Sequence, residues 1–215
     1  MNAASSNSSS PAASGTASSR RWRWHHFLWV LLALAAIVLL RKGESRYEDR
    51  DAPILQRYTV NEEARGRNFT VHIKRIKVAH AYLLKGDYGK PDYELRTPGV
   101  WLSVLGEVEA TQAPGAVQAR ILTRDGLVYD SASSDRPRLK GINLEGRELA
   151  VGLPAQGAYF FELPPDRLEG AHLQVYWGYL LPNGGDSLVD IDLGIDAARA
   201  KALMAEAKPV LDLRP

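Results

Sequence analysis

The stretch GVWLSVLGEVEAT, residues 99–111, sets Val100, Leu102, Val104 and Val108 on one side of the chain and Trp101 and Leu105 on the other. Successive side chains of an extended backbone point to opposite faces, so a segment apolar on both reads as a central strand. Upstream, NFTVHI alternates Phe69, Val71 and Ile73 with Thr70 and His72, a half-buried strand. Its phase breaks at Lys74-Arg75 and resumes with Ile76 and Val78, which predicts a bulge at the two basic residues.

Downstream, AVQARILT and LVYDS flank Asp125-Gly126, a dipeptide suited to a tight hairpin turn. ELAVGL and AYFFEL flank PAQG, read as a turn built on Pro154 and Gly157. AHLQVYWGYL and DSLVDIDLGI supply two further strands, the first with Leu173, Val175 and Trp177 in phase. DAARAKALMAEAKP begins with Asp196 as an N-cap, places Ala200, Leu203, Met204 and Ala207 on one stripe, and stops before Pro209; it predicts a helix packed on the strands. Seven or eight short strands without long helical patterns between them predict an all-β fold, an immunoglobulin-like antiparallel β-sandwich, with one N-terminal transmembrane helix and a short C-terminal α-helix.

The stretches TPGVWLSVLGEVEA, GLPAQGAYFFELPPDRLEGAHLQV and DSLVDIDLGI resemble a group of bacterial domain-of-unknown-function families. These are extracytoplasmic immunoglobulin-like proteins, similar to the mycobacterial immunoprotective extracellular antigen. The resemblance spans most of residues 58–196. It implies a β-sandwich of unassigned function, secreted or lipid-anchored. This chain departs from the pattern in having no lipobox cysteine, and EATQAPGAV stands where those families commonly carry an asparagine-containing turn.

The start of the chain suggests a different attachment. Residues 1–19 are almost wholly small and polar, too poor in apolar groups to offset the entropy of ordering them, and read as a disordered tail. Residues 20–42 read as a membrane anchor. Phe27 to Leu40 is uninterruptedly apolar, about 21 Å of helix at ~1.5 Å per residue, and counting from Trp22 brings it near the ~30 Å of a hydrocarbon core. Arg21, Trp22, Arg23 and Trp24 at one end and Arg41 and Lys42 at the other suit the two membrane–water boundaries. A cleaved signal peptide needs a small-x-small site after the run, and the only such triplet, Ala33-Leu34-Ala35, lies inside it. A buried helix of a soluble protein would carry a polar face, which this one lacks.

Residues 43–57, charged and holding Pro53, read as a spacer, and 58–215 as the extracytoplasmic sandwich with its C-terminal helix. Basic residues flank the run on both sides, so the positive-inside rule leaves orientation open; a short tail before a single anchor places the N-terminus inside the cytoplasmic membrane.

Chemistry is harder to find. The 215 residues hold 27 Lys and Arg against 25 Asp and Glu, a net charge of +2 with no basic face, which points away from nucleic acid. There is no cysteine, so disulfides, thiolate metal sites and a cysteine nucleophile are excluded. The five histidines show no metal-ligand spacing. Asp186, Asp190, Asp192 and Asp196 form one loose acidic run, in which Asp190 and Asp192 share one side of a strand and read as a solvated face rather than a calcium site. No nucleophile elbow, phosphate loop or dinucleotide fingerprint occurs, so no catalytic residue, metal or cofactor is expected. The best contact candidate is the loop LLKGDYGKPDYELRTPG, with Lys85, Tyr88, Lys90, Tyr93 and Arg96, residue types favoured at binding surfaces. The expected partners are membrane lipid, through the anchor, and another cell-envelope protein; a small apolar, peptide or glycan ligand is the alternative.

Overall fold

A computed structural model of the chain describes residues 19–48, 52–86, 89–131, 141–178, 182 and 184–214, with side chains in the first helix described over 26–40. Residues 1–49 and 50–215 form separate compact units.

In the first unit, α1 runs Ser19–Glu48. Its apolar side chains are exposed all round, among them Phe27 at 73%, Leu34 at 55% and Leu40 at 70%. No helix among the described residues is long and apolar enough to cross a membrane. The residues expected at the membrane boundaries, Arg21, Trp22, Arg23, Trp24, Arg41 and Lys42, lie in α1, but their side chains fall outside those described.

The second unit is a β-sandwich. Its elements are β1 (Ile54–Thr59), β2 (Glu63–Arg65), β3 (Phe69–Leu84), β4 (Tyr93–Ala110), β5 (Gly115–Leu122), β6 (Val128–Asp130) and β7 (Glu148–Leu149). There follow β8 (Ala155–Leu163), β9 (His172–Trp177), β10 (Ser187–Asp192), α2 (Ala197–Ala205) and β11 (Leu211–Asp212). One sheet has the order β1-β10-β9-β5-β6, with β7 also on β5; the other has β11-β3-β4-β8, with β2 also on β3.

The expectation of a wholly antiparallel sandwich needs correction at the edges. β1 lies parallel to β10, and β11 parallel to β3. Each joins a strand far away in sequence and covers a sheet edge, which no short turn is needed to reach. β1 also takes in Ile54 to Arg57, the end of the stretch read as spacer.

Side chains of both sheets fill the interior. Val100, Leu102 and Val104 of β4 meet Val117, Ala119 and Ile121 of β5 and Leu173 and Val175 of β9 in one buried cluster. The register of β3 on β4 shifts between Ile73 and Arg75, so the bulge falls where the broken alternation puts it and returns Ile76 and Val78 to the core. The β5–β6 turn forms at Asp125-Gly126, with Gly126 at φ 84°, a conformation that favours glycine.

Gly157 does something other than turn the chain. It lies within β8, opposite Gly106, and a Cβ there would stand 2.3 Å from the Ile142 carbonyl oxygen. Its bare backbone lets residues 142–144 run along the free edge of β8, where Ala158 donates to Ile142 O and Leu144 donates to Ala158 O. α2 starts as expected, with Asp196 accepting from the Arg199 N–H at 2.7 Å, and buries Leu203 in the core.

Candidate functional site

The expected contact loop is the tip of the β3–β4 hairpin. The register of β3 on β4 shifts between Ala79 and Ala81, opposite Thr97-Pro98-Gly99, and a Cβ on Gly99 would sit 2.4 Å from the Leu163 carbonyl oxygen. β8 pairs with β4 only from Val100 to Val108, so the arm formed by Ala81–Leu84 and Tyr93–Arg96 continues past the end of β8.

Lys85 and Lys90 are exposed on this arm, Tyr93 is 50% exposed, and the Arg96 side chain is 75% exposed while bridging to Glu94 at 2.6 Å. Tyr88 lies outside the described residues. The base of the tip is clipped to the end of the chain: Arg214 reaches Asp92 Oδ2 at 2.8 Å and Asp212 Oδ2 at 2.6 Å, and Asp92 Oδ1 accepts from the Gly86 N–H. The Arg214 guanidinium holds the Asp212 carboxyl down at about 2 and lowers that of Asp92. The clip joins residues 122 positions apart, which no local sequence pattern announces.

The outward face of the other sheet carries a polar row that the strand pattern only half reveals. Cross-strand register aligns Arg57 with Asp190, Asp190 with Gln174, Gln174 with Arg120, and Arg120 with Asp130. Arg120 Nε donates to Gln174 Oε1 at 2.8 Å, and its guanidinium lies 5.8 Å from the Tyr176 ring centroid. The solvated-face reading of Asp190 is corrected: Asp192 is exposed, but Asp190 is buried, with its Oδ1 at 3.2 Å from His172 Nδ1. A carboxylate inside a strand is buried here because the neighbouring β9 supplies an imidazole partner. The charges along the row alternate in sign, an arrangement that holds strands together.

A third polar group sits at the margin of the main core. β5 pairs with β7 at Gly115-Ala116 and with β6 at Arg120–Leu122. Between them the Glu145 carboxylate stands in for a strand: its Oε2 accepts from the Ala119 N–H at 3.3 Å and from the Ser131 hydroxyl. Burial pushes this carboxyl up to about 7 against those two bonds, with the Asp130 charge adding to the rise. Glu145 Oε1 and the wholly buried Tyr159 hydroxyl have no hydrogen-bond partner among the described residues.

A fourth feature lies on the outer face of the β3-β4-β8 sheet. Tyr82, Trp101 and Phe160 pack with Ala79, Leu84 and Ala158, and Leu211 and Leu213 lie against them. Tyr82 and Trp101 centroids are 5.0 Å apart, and Tyr82 meets Phe160 edge-on at 5.6 Å. The Tyr82 hydroxyl and Ser103 Oγ share a buried bond of 2.6 Å. Among the described residues no group of histidine, aspartate or glutamate side chains could hold a metal ion.

No family model matches the chain, and no curated protein matches it. One solved structure that it is similar to is an uncharacterized beta-sandwich protein from Clostridium difficile 630, at 10% identity and a TM-score of 0.39, covering 65% of this chain and 95% of that one. The resemblance to the mycobacterial antigen families therefore rests on the quoted residues. The fold is mainly a β-sandwich of two sheets.

Proposed function

We propose that the chain is a single-pass, membrane-anchored binding protein whose sandwich stands outside the cytoplasmic membrane and contacts another cell-envelope protein through the tip of the β3–β4 hairpin. The observation that carries this reading is the arm itself. It runs past β8, exposes Lys85, Lys90, Tyr93 and Arg96, and is braced at its base by Arg214, so it offers cations and an aromatic ring at reduced entropic cost.

The anchor is supported by the side chains from Phe27 to Leu40, apolar and exposed on every side of α1, which suits lipid and not water. The strand order supports an immunoglobulin-like topology, since β3-β4-β8 facing β10-β9-β5-β6 follows the Greek-key arrangement of that fold.

The test is crosslinking in intact membranes with a photoreactive group at position 93, using the full chain beside one lacking residues 1–42. A protein captured by the anchored chain, and reduced at least tenfold by K85E/K90E, is the expected result. Equal capture by K85E/K90E would remove the hairpin from the function, and equal capture without residues 1–42 would remove the anchor.

A further inference from the structure

β3 is covered on its outer side by β2 at Thr70–His72, by a bridge from Lys208 to Ala79, and by β11 at Tyr82-Leu83. Between His72 and Ala79 no described strand pairs with that edge. The Val78 carbonyl accepts from the Lys208 N–H, and the His80 N–H donates to the Lys208 carbonyl, so these even-numbered residues turn their peptide groups outward. By strand alternation Ile76 does the same.

Beside this open edge lies a groove of about 540 Å³ between β3 and α2. Ile76, Val78, Leu203 and Leu211 give it an apolar lining, and Arg75, Lys77, Arg199 and Lys208 a cationic one. Four cations against the single acid Glu206 leave the lining at +3.

Several other cations of the sandwich are paired: Lys74 with Glu107, Arg65 with Glu63, Arg124 with Glu169, Arg214 with Asp92 and Asp212. The four in the groove have no ion pair among the described residues. Charges on an edge strand commonly serve to repel unwanted pairing. That role accounts for Arg75 and Lys77, but Arg199 comes from α2 and Lys208 from the segment after it, and the convergence of all four on one groove suits a negative occupant.

We propose that this groove binds an extended acidic peptide segment of a partner protein, added as a strand to β3 at Ile73–Val78. Acidic side chains meet the four cations, alternate apolar ones meet Ile76, and the main chain pairs with the peptide group of Ile76 and the N–H of Val78, whose carbonyl Lys208 already occupies. The site is separate from the hairpin tip, and neither depends on the other.

The test uses the full chain in uncharged detergent micelles and a labelled, end-capped eight-residue peptide alternating glutamate with valine. Fluorescence anisotropy is expected to show saturable binding, with hydrogen exchange slowed at the Ile76 and Val78 amides. Replacing glutamate by lysine in the peptide, or methylating its alternate amide nitrogens, is expected to weaken binding at least tenfold. The variants R75Q/K77Q and R199Q/K208Q should each do likewise without moving the melting temperature. Undiminished binding of the methylated peptide would overturn strand addition, and undiminished binding by both variants would overturn the site. Saturable binding of short-chain phosphatidylglycerol or inorganic phosphate, with no binding of the peptide, would overturn the proposal in favour of a phosphate-bearing ligand.

Discussion

Both faces of the β3-β4-β8 sheet hold buried side chains, yet they are built differently. The inner face meets a second sheet through aliphatic side chains and the rings of Phe69, Tyr159 and Phe161. The outer face is a small aromatic cluster, Tyr82, Trp101 and Phe160, with Leu211 and Leu213 of the last residues against it. Each holds a buried polar atom without a partner among the described residues, Trp101 Nε1 in the outer cluster and the Tyr159 hydroxyl in the inner core; the outer cluster pairs the Tyr82 hydroxyl with Ser103, and the inner core has the buried carboxyl of Glu145 at its margin. One strand, β4, thus serves two cores of unequal reach: the inner one spans both sheets, the outer one a single sheet and residues 211–213.

Emptying each side in turn should unequally destabilise the fold. Phe161→Ala removes a fully buried ring from the inner core and should cost about 3–5 kcal/mol in urea unfolding. Leu211→Ala with Leu213→Ala strips two half-buried side chains from the outer cluster and should cost about 2 kcal/mol. Equal losses would mean that the two faces are equivalent.

The inner core should also carry a pH signature that the outer one lacks. The folded chain keeps a proton on Glu145 up to about 7, where the unfolded chain has released it from 4.5 upward. The folded form then binds more protons across that window, so stability is fully present below it and falls as pH rises through it, by on the order of 3 kcal/mol. Glu145→Gln keeps an acceptor for Ser131 and Ala119 and should flatten melting temperature between pH 5 and pH 8. A slope that survives the substitution would place its origin elsewhere.

The smallest effects should differ in sign. Tyr82→Phe deletes a bond and strands Ser103 Oγ in a buried place, a loss of about 1 kcal/mol. Tyr159→Phe deletes a hydroxyl that is buried unpaired, a gain of about 1 kcal/mol. Denaturation midpoints of the two variants should fall on opposite sides of the parent's.

Much of the sandwich can be read from local pattern, because burial of a strand face imposes a period of two. The bulge at Lys74, the turn at Asp125-Gly126 and the Asp196 cap all follow from a few adjacent residues. What escapes is set by partners distant in sequence. β1 lies at a sheet edge with Ile54 and Leu55 half exposed, so its sequence lacks alternation and looks like spacer. Gly157 is small because Ile142 passes over it. Asp190 lies on the expected side of its strand, but it is buried beside its partner His172, on a strand 18 residues away in sequence. At the hairpin tip, residue types in the loop suggested contact, while the Arg214 clip that braces it is visible only in the folded chain.

The parallel docking of β1 on β10 has a mechanical consequence. Six residues, Ile54 to Thr59, are paired in register with Ser187 to Asp192. Tension arriving along the strand from the chain ahead of Ile54 loads all of these rungs together, as in a lap joint. Tension arriving across the strand opens them singly, beginning at Ile54. The same seam is thus stiff in one pulling direction and yielding in the other.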